Sequence, residues 1–252
     1  MRLKLTIAYD GRPYEGWATQ PGGNTVQDLI EKALSAVAKE EIRIHGAGRT
    51  DTGVHAIGQI AHFDAPQGLR MNPFNWVPAV NTKLPATIRV MDCAEVGSDF
   101  HARFAAVAKT YTYDLCLAPV LPPLMAGLAW HLPRQLDPAT LEQALEILRG
   151  EHDFRAFAAK RGNETDATRY TRLLSRCDLE VTGSGYRISY TGSGFLYKMA
   201  RLLTGAVVYA AQGRLRLDDL SLLLDQPAGL PHGRAPYCAP AGGLVLDSVD
   251  YG

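Results

Sequence analysis

Apolar and polar residues alternate from the first strand-length segment of the chain. Leu3, Leu5, Ile7 and Tyr9 share one face of a strand over residues 3 to 9, with Lys4, Thr6 and Ala8 opposite. A loop rich in Gly and Pro follows, holding Tyr14, Trp17, Pro21, Gly22 and Gly23. Thr25 then reads as an N-cap with Asp28 at the capping-box position, and Val26, Leu29, Ile30, Ala33, Leu34 and Val37 fall on one helical stripe. Strands are predicted over 54–63 and 87–93, and the irregular stretch 66–85 between them carries at most a short helix around Phe74 to Val80.

The second part of the chain repeats this mixture. A long strand over 107–117 places Tyr111, Tyr113, Leu115 and Leu117 on one face. Asp137 followed by Pro138 starts a helix with Leu141, Ala144, Leu145 and Leu148 as its buried stripe, and Gly150 is expected to end it. Residues 171–182 and 186–191 predict a hairpin around Gly183-Ser184-Gly185. A second long helix is expected over Phe195 to Ala211, a short one around 218–225 and a terminal strand near 244–250. The simplest architecture is α+β, with two halves spanning 1–105 and 106–252. Their sheets are expected to join or abut, with a cleft between them.

Composition narrows the class without naming a function. Hydrophobic residues at 46% and charged residues at 21% suit a globular domain and exclude a disordered one. Basic and acidic residues balance at 26 each, so a nucleic-acid-binding face has to be local. Arg187, Lys198, Arg201, Arg214 and Arg216 occur between residues 181 and 217 without an acid. Lys160, Arg161, Arg169, Arg172 and Arg176 face only Glu164 and Asp166 in the run 160–176. Such runs fit a basic face somewhat better than a set of scattered solvated arginines. Cys93, Cys116, Cys177 and Cys238 have no zinc-ligand or redox spacing and read as core thiols. The first residues alternate instead of running apolar, and no segment approaches a membrane span, which points to the cytoplasm.

Candidate chemistry concentrates in Gly46-Ala47-Gly48-Arg49-Thr50-Asp51-Thr52-Gly53-Val54-His55. A polar turn that satisfies its own backbone is one reading. A Walker-type phosphate loop is excluded, because no Gly-Lys-Ser/Thr ending follows. A metal site from His45, Asp51, His55 and His62 has no recognised ligand spacing, and His55 and His62 lie on opposite faces of a regular strand. An aspartate acting as nucleophile or base remains.

The run 46–59 resembles the active-site motif of the TruA family of tRNA pseudouridine synthases. The likeness continues in order through Ala8-Tyr9-Asp10-Gly11, Tyr14 to Trp17, Thr25-Val26-Gln27, Asn81 with Leu84-Pro85, and Phe100-His101-Ala102-Arg103-Phe104. It extends to Lys109-Thr110-Tyr111-Thr112-Tyr113, His152-Asp153-Phe154, Phe195-Leu196 with Met199 and Arg201, and Ala239-Pro240 with Gly243-Leu244. The chain departs from the family's usual His-His before Met199 and Val-Arg-Asn after it.

The resemblance implies two RRM/ferredoxin-like α+β halves whose sheets join into one mixed, mainly antiparallel sheet flanked by helices, with the active-site cleft between them. It implies isomerisation of uridine to pseudouridine in the anticodon stem-loop, at tRNA positions 38, 39 and 40. It also implies no cofactor, no metal and a homodimer. Asp51 corresponds to the catalytic carboxylate, Arg201 to its cationic partner and Tyr111 to the active-site tyrosine, which also stacks on the base. Arg49, Arg103, Lys109 and Lys198 are candidates for RNA contacts, together with Arg214 and Arg216, and Leu244 for an apolar wall. The competing readings are a non-catalytic RNA-binding module on the same scaffold and a metal-dependent hydrolase.

Overall fold

The computed structural model describes the chain apart from residues 70, 134–135, 161, 163, 166, 226–234 and 236. Arg161 and Asp166 of the second basic run lie outside the described residues. By contacts the chain divides into two compact units, one of residues 1–107 with 245–252 and the other of residues 108–244.

In the first unit, strand β1 (Arg2–Tyr9) buries Leu3, Leu5, Ile7 and Tyr9, as the alternation predicts. Helix α1 (Val26–Ala38) begins at the expected cap. The Thr25 hydroxyl accepts the Asp28 N–H and lies 2.6 Å from the Asp28 carboxylate. Short strand β2 (His45–Gly46), strand β3 (His55–Asp64), helix α2 (Pro73–Asn81) and strand β4 (Ile88–Val96) follow. β1 lies antiparallel between β3 and β4, with Leu3 opposite Phe63 and Leu5 opposite both Ala61 and Cys93. Trp76 of α2 meets Phe63 edge-on at 5.2 Å. Burying each large side chain in this layer contributes about 1.5–3 kcal/mol. Glu31 breaks the apolar pattern of α1 yet is buried. Its carboxylate accepts from Ile44 N (3.0 Å), Gln27 Nε2 (2.8 Å) and Arg43 (2.9 Å), which fastens the segment leading into β2 to the helix.

The second unit holds β5 (Ala108–Cys116), β6 (Trp130–His131), α3 (Pro138–Leu148), β7 (Gly150–Asp153), β8 (Thr171–Thr182), β9 (Gly185–Gly192), α4 (Met199–Ala211) and α5 (Leu217–Asp225). Its strands run in the order β5-β9-β8-β7, antiparallel throughout, with β6 parallel to β5. α3 packs on β8 and α4 through Leu141, Ala144, Leu145 and Leu148. Two expectations about helix ends need correction. α3 stops at Leu148 with Arg149 already extended, and Gly150, at φ 114°, opens β7 instead of capping the helix. α4 starts at Met199, not Phe195, because Lys198 before it is left-handed at φ 59° and breaks the helical run.

The last strand, β10 (Leu244–Asp250), returns to the first unit. It lies parallel to β3, with Val245 beside His55 and Leu246 beside Ala56, and Asp250 O accepts the Val107 N–H. The expected second half, 106–252, therefore gives up its final strand to the first unit, because that strand's backbone pairs with β3. The α+β class holds: each unit carries a mainly antiparallel sheet flanked by helices.

Candidate active site

The aspartate loop, residues 48–54, connects β2 to β3 in the first unit. Asp51 O accepts the Val54 N–H, closing a tight turn, and Gly53 sits at φ 78° in its third position. A turn of this kind requires positive φ there, which is why glycine follows Thr52. The loop is held from beneath by groups far away in sequence. The Tyr9 and Thr50 hydroxyls are hydrogen-bonded at 2.7 Å in a buried pocket. Gln59 Nε2 donates to Gly48 O at 3.0 Å, and Trp17 N donates to Thr50 O. Gly16, at φ 90°, lets its backbone approach Thr50 O so closely that an added Cβ would sit 2.8 Å away. At the loop's exit, His55 Nδ1 accepts the Gly11 N–H at 3.1 Å. Asp51 is half-buried and Arg49 exposed.

Burial of Tyr9 pushes its phenol above the ordinary value, with the Thr50 and Gln59 hydrogen bonds acting the other way. The neutral hydroxyl is therefore what Thr50 meets across the whole working pH range. Gln59 Oε1 is buried with no hydrogen-bond partner among the described residues, so the amide is oriented by its donor half alone. The sequence singled out the loop but none of Tyr9, Trp17 or Gln59 as its supports. Only their positions in the aligned blocks carried a signal.

The second unit gathers the other candidates. Tyr111 on β5 is buried, pairs with Tyr190 on β9, and meets the Phe195 ring edge-on at 4.8 Å. Tyr113 shares its face but has a different occupation. Its hydroxyl donates to Pro240 O at 2.7 Å, and Gly243 lies so near its ring that a Cβ there would clash. Strand periodicity leaves the two tyrosines equivalent, whereas their surroundings separate them. Arg201 is half-buried in the first turn of α4, where its Nε donates to Ala239 O at 2.8 Å. Its own carbonyl accepts the Ala239 N–H, so the segment before Leu244 is tied to α4 at this residue. Lys198 lies immediately before the helix with its ammonium 5.3 Å from the Tyr197 ring centroid. Lys109 is the second residue of β5, and Leu244 is buried at the start of β10.

Ion pairs change the basic runs. Arg187 makes a bidentate bridge to Asp114 at 2.7 and 2.9 Å, and Arg216 pairs with Asp218 at 3.0 Å. Arg214 lies flat over Tyr209 at 4.0 Å. The run from 181 to 217 is thus less cationic than its sequence suggests. Among the described residues, no three His, Cys, Asp or Glu side chains are arranged to hold a metal ion.

A family model described as tRNA pseudouridine synthase matches residues 5–105 and 144–252. The chain belongs to this family. It is 49% identical over 253 residues to the tRNA pseudouridine synthase A of Akkermansia muciniphila, covering 99% of this chain and 95% of that one. The tRNA pseudouridine synthase A 2 of Clostridium perfringens is 35% identical, covering 99% of each. The tRNA pseudouridine synthase A of Chromobacterium violaceum is 39% identical over all of this chain and 93% of that one. A chain from the crystal structure of a Cbf5-Nop10-Gar1 complex is a weak structural match, with TM-score 0.38 and 11% identity over 82% of this chain and 44% of that one. A likeness of that size carries no argument. The protein is a tRNA pseudouridine synthase, an isomerase, and both the aspartate loop and Arg201 fall inside the matched segments.

Proposed function

We propose that this synthase converts uridine to pseudouridine in the anticodon stem-loop of tRNA, with Asp51 as its nucleophile. The observation that carries this reading is the aspartate loop itself. A half-buried carboxylate stands on a glycine turn flanked by Thr50 and His55, each held by a buried hydrogen bond. Preorganisation of this kind suits a group that must attack one atom of a bound base.

Uridine and pseudouridine are isomers. The C1′–N1 bond breaks, C5 of the turned base bonds to C1′, the C5 proton leaves and N1 gains a proton, so no oxidant or reductant is needed. The base is stacked in its stem and has to be extruded first. Asp51 supplies the negative charge, by attacking either the sugar or the base. Arg201 is the proposed cationic partner of that carboxylate. Tyr111 is proposed to stack on the extruded uracil and to assist loss of the C5 proton. Arg49, Arg103, Lys109 and Lys198 are proposed to contact phosphates, and Leu244 to wall the base. A homodimer working in the cytoplasm completes the proposal. No helix among the described residues is long and apolar enough to cross a membrane.

The test is tritium release from tRNA labelled at uridine C5. Wild type releases label, whereas Asp51→Asn binds tRNA and releases none. An Asp51→Asn enzyme that turns over at the wild-type rate would remove the aspartate from the mechanism. Wild-type binding without release would favour the RNA-binding module.

A further inference from the structure

The loop between β4 and β5 holds a feature that the reaction does not use. Phe104 is 77% exposed, yet its setting is rigid. Its ring lies 4.4 Å from that of His101, tilted by 32°, and the Arg103 guanidinium is 5.7 Å from its centroid. His101 Nδ1 accepts the Arg103 N–H at 3.1 Å, and the Phe104 N–H points at the same nitrogen from 3.4 Å. Two residues before Phe104, Ala102 is fully buried against Ala47 and Ile60. Its N–H goes to His62 Nδ1 (3.1 Å) and its carbonyl accepts from Tyr251 Oη (2.8 Å). Arg2 clamps the start of the loop through Ser98 O (2.6 Å) and Phe100 O (2.9 Å).

An exposed apolar ring on a mobile tip needs no explanation, since single surface apolar residues are common. Here the backbone on both sides of residue 102 is fixed, and the ring is braced by one aromatic side chain and flanked by a guanidinium. Base stacking on an aromatic side chain beside a cation is how proteins hold unpaired nucleotides. We propose that Phe104, braced by His101, is a stacking platform for an unpaired nucleobase of the tRNA substrate, with Arg103 on the adjoining phosphate. This rests on the tRNA-modifying reading above and adds a second point of contact to it.

Phe104 stands on the loop 97–105 and Asp51 on the loop 48–54, so the nucleotide on Phe104 is proposed to be a different one from the uridine that reacts. The platform serves affinity and register, and its loss shows in tRNA binding and not in the chemical step.

The experiment compares wild type, Phe104→Ala, Phe104→Trp and Arg103→Ala. It measures tRNA affinity against salt, single-turnover tritium release at saturating tRNA, and oligomeric state. Phe104→Ala is expected to weaken binding about ten-fold with an unchanged salt slope and saturated rate. Phe104→Trp restores affinity, and its indole fluorescence is quenched when tRNA binds. Arg103→Ala lowers the salt slope by about 1. Unchanged affinity in Phe104→Ala overturns the platform, as does a weakened affinity that Phe104→Trp fails to restore. A change of oligomeric state in Phe104→Ala that alone accounts for the lost affinity overturns it in favour of a protein contact. Lack of tritium release by wild type would count against the catalytic reading, while the affinity series still decides the platform.

Discussion

Two loops of the first unit reach the same rigidity by opposite chemistry. The aspartate loop, 48–54, is fastened by groups that stay neutral: a phenol, a threonine hydroxyl, a glutamine amide and glycine backbone. The loop 97–105 is fastened by groups whose charge matters: His62, His101 and Arg2. The loop that presents Asp51 is thereby supported mainly through neutral groups. A loop that offers a cation and an aromatic ring can tolerate titrating supports. The contrast predicts that the first loop governs turnover, while the second governs binding and responds to acid.

Gln59→Leu should do the most damage. It removes the donor to Gly48 O, costs about 1 kcal/mol for the lost hydrogen bond, and lowers saturated turnover about 100-fold by letting the carboxylate drift. Single-turnover tritium release and denaturant unfolding measure the two effects. Full turnover in the variant would mean that the loop holds its shape without Gln59. Tyr9→Phe comes next, with about a ten-fold loss of saturated rate and little change in tRNA affinity, because Thr50 loses one partner while Trp17 N still holds its carbonyl. A loss confined to affinity would show that Tyr9 does not position the aspartate.

The smallest effect separates the loops by pH. Burial, then the charges of His101, His45 and Arg2, lower His62 from 6.5 to about 4, with Asp64 opposing. His101 is lowered as well, by burial first and then by His45. The unfolded chain therefore binds more protons than the folded one between about pH 6.5 and 4. The stabilisation is complete above the upper limit and is lost as pH falls through that window. Thermal unfolding should show a Tm lower by about 3 °C at pH 5 than at pH 7. His62→Asn, whose Oδ1 replaces Nδ1 as acceptor for Ala102 N–H, should flatten that difference. An equal pH dependence in wild type and variant would place the titrating group elsewhere.

Much of this was legible in the sequence because it is periodic or local. The alternation of β1, the Thr25 cap, the stripe of α3 and the hairpin of β8 and β9 follow from short-range rules. The aspartate loop was visible as a dense polar cluster, and its family resemblance named Asp51, Tyr111 and Arg201 as candidates. What escaped is long-range. The Tyr9–Thr50 hydrogen bond spans 41 residues, and the His62–Ala102 hydrogen bond spans 40. Glu31 interrupts a helical stripe only because three donors converge on it. Lys198 shortens α4 through a left-handed backbone that a lysine side chain does not announce. The two-residue strands β2 and β6 are too short for any period to emerge, and the edge strand β7 was hidden behind Gly150 read as a helix cap.

The return of β10 to β3 has a consequence for how the molecule is made. The first unit is interrupted in the chain by the whole of the second. Residues 1–107 leave the ribosome without the strand that lies beside His55, and Ala102 waits for the Tyr251 hydroxyl. The second unit, continuous in sequence, has all of its strands before that one appears. Synthesis therefore imposes an order: the unit that holds the aspartate loop is completed after the second unit. A nascent chain from which only residues 1–244 have emerged should protect the second unit from protease while the first remains open to cleavage.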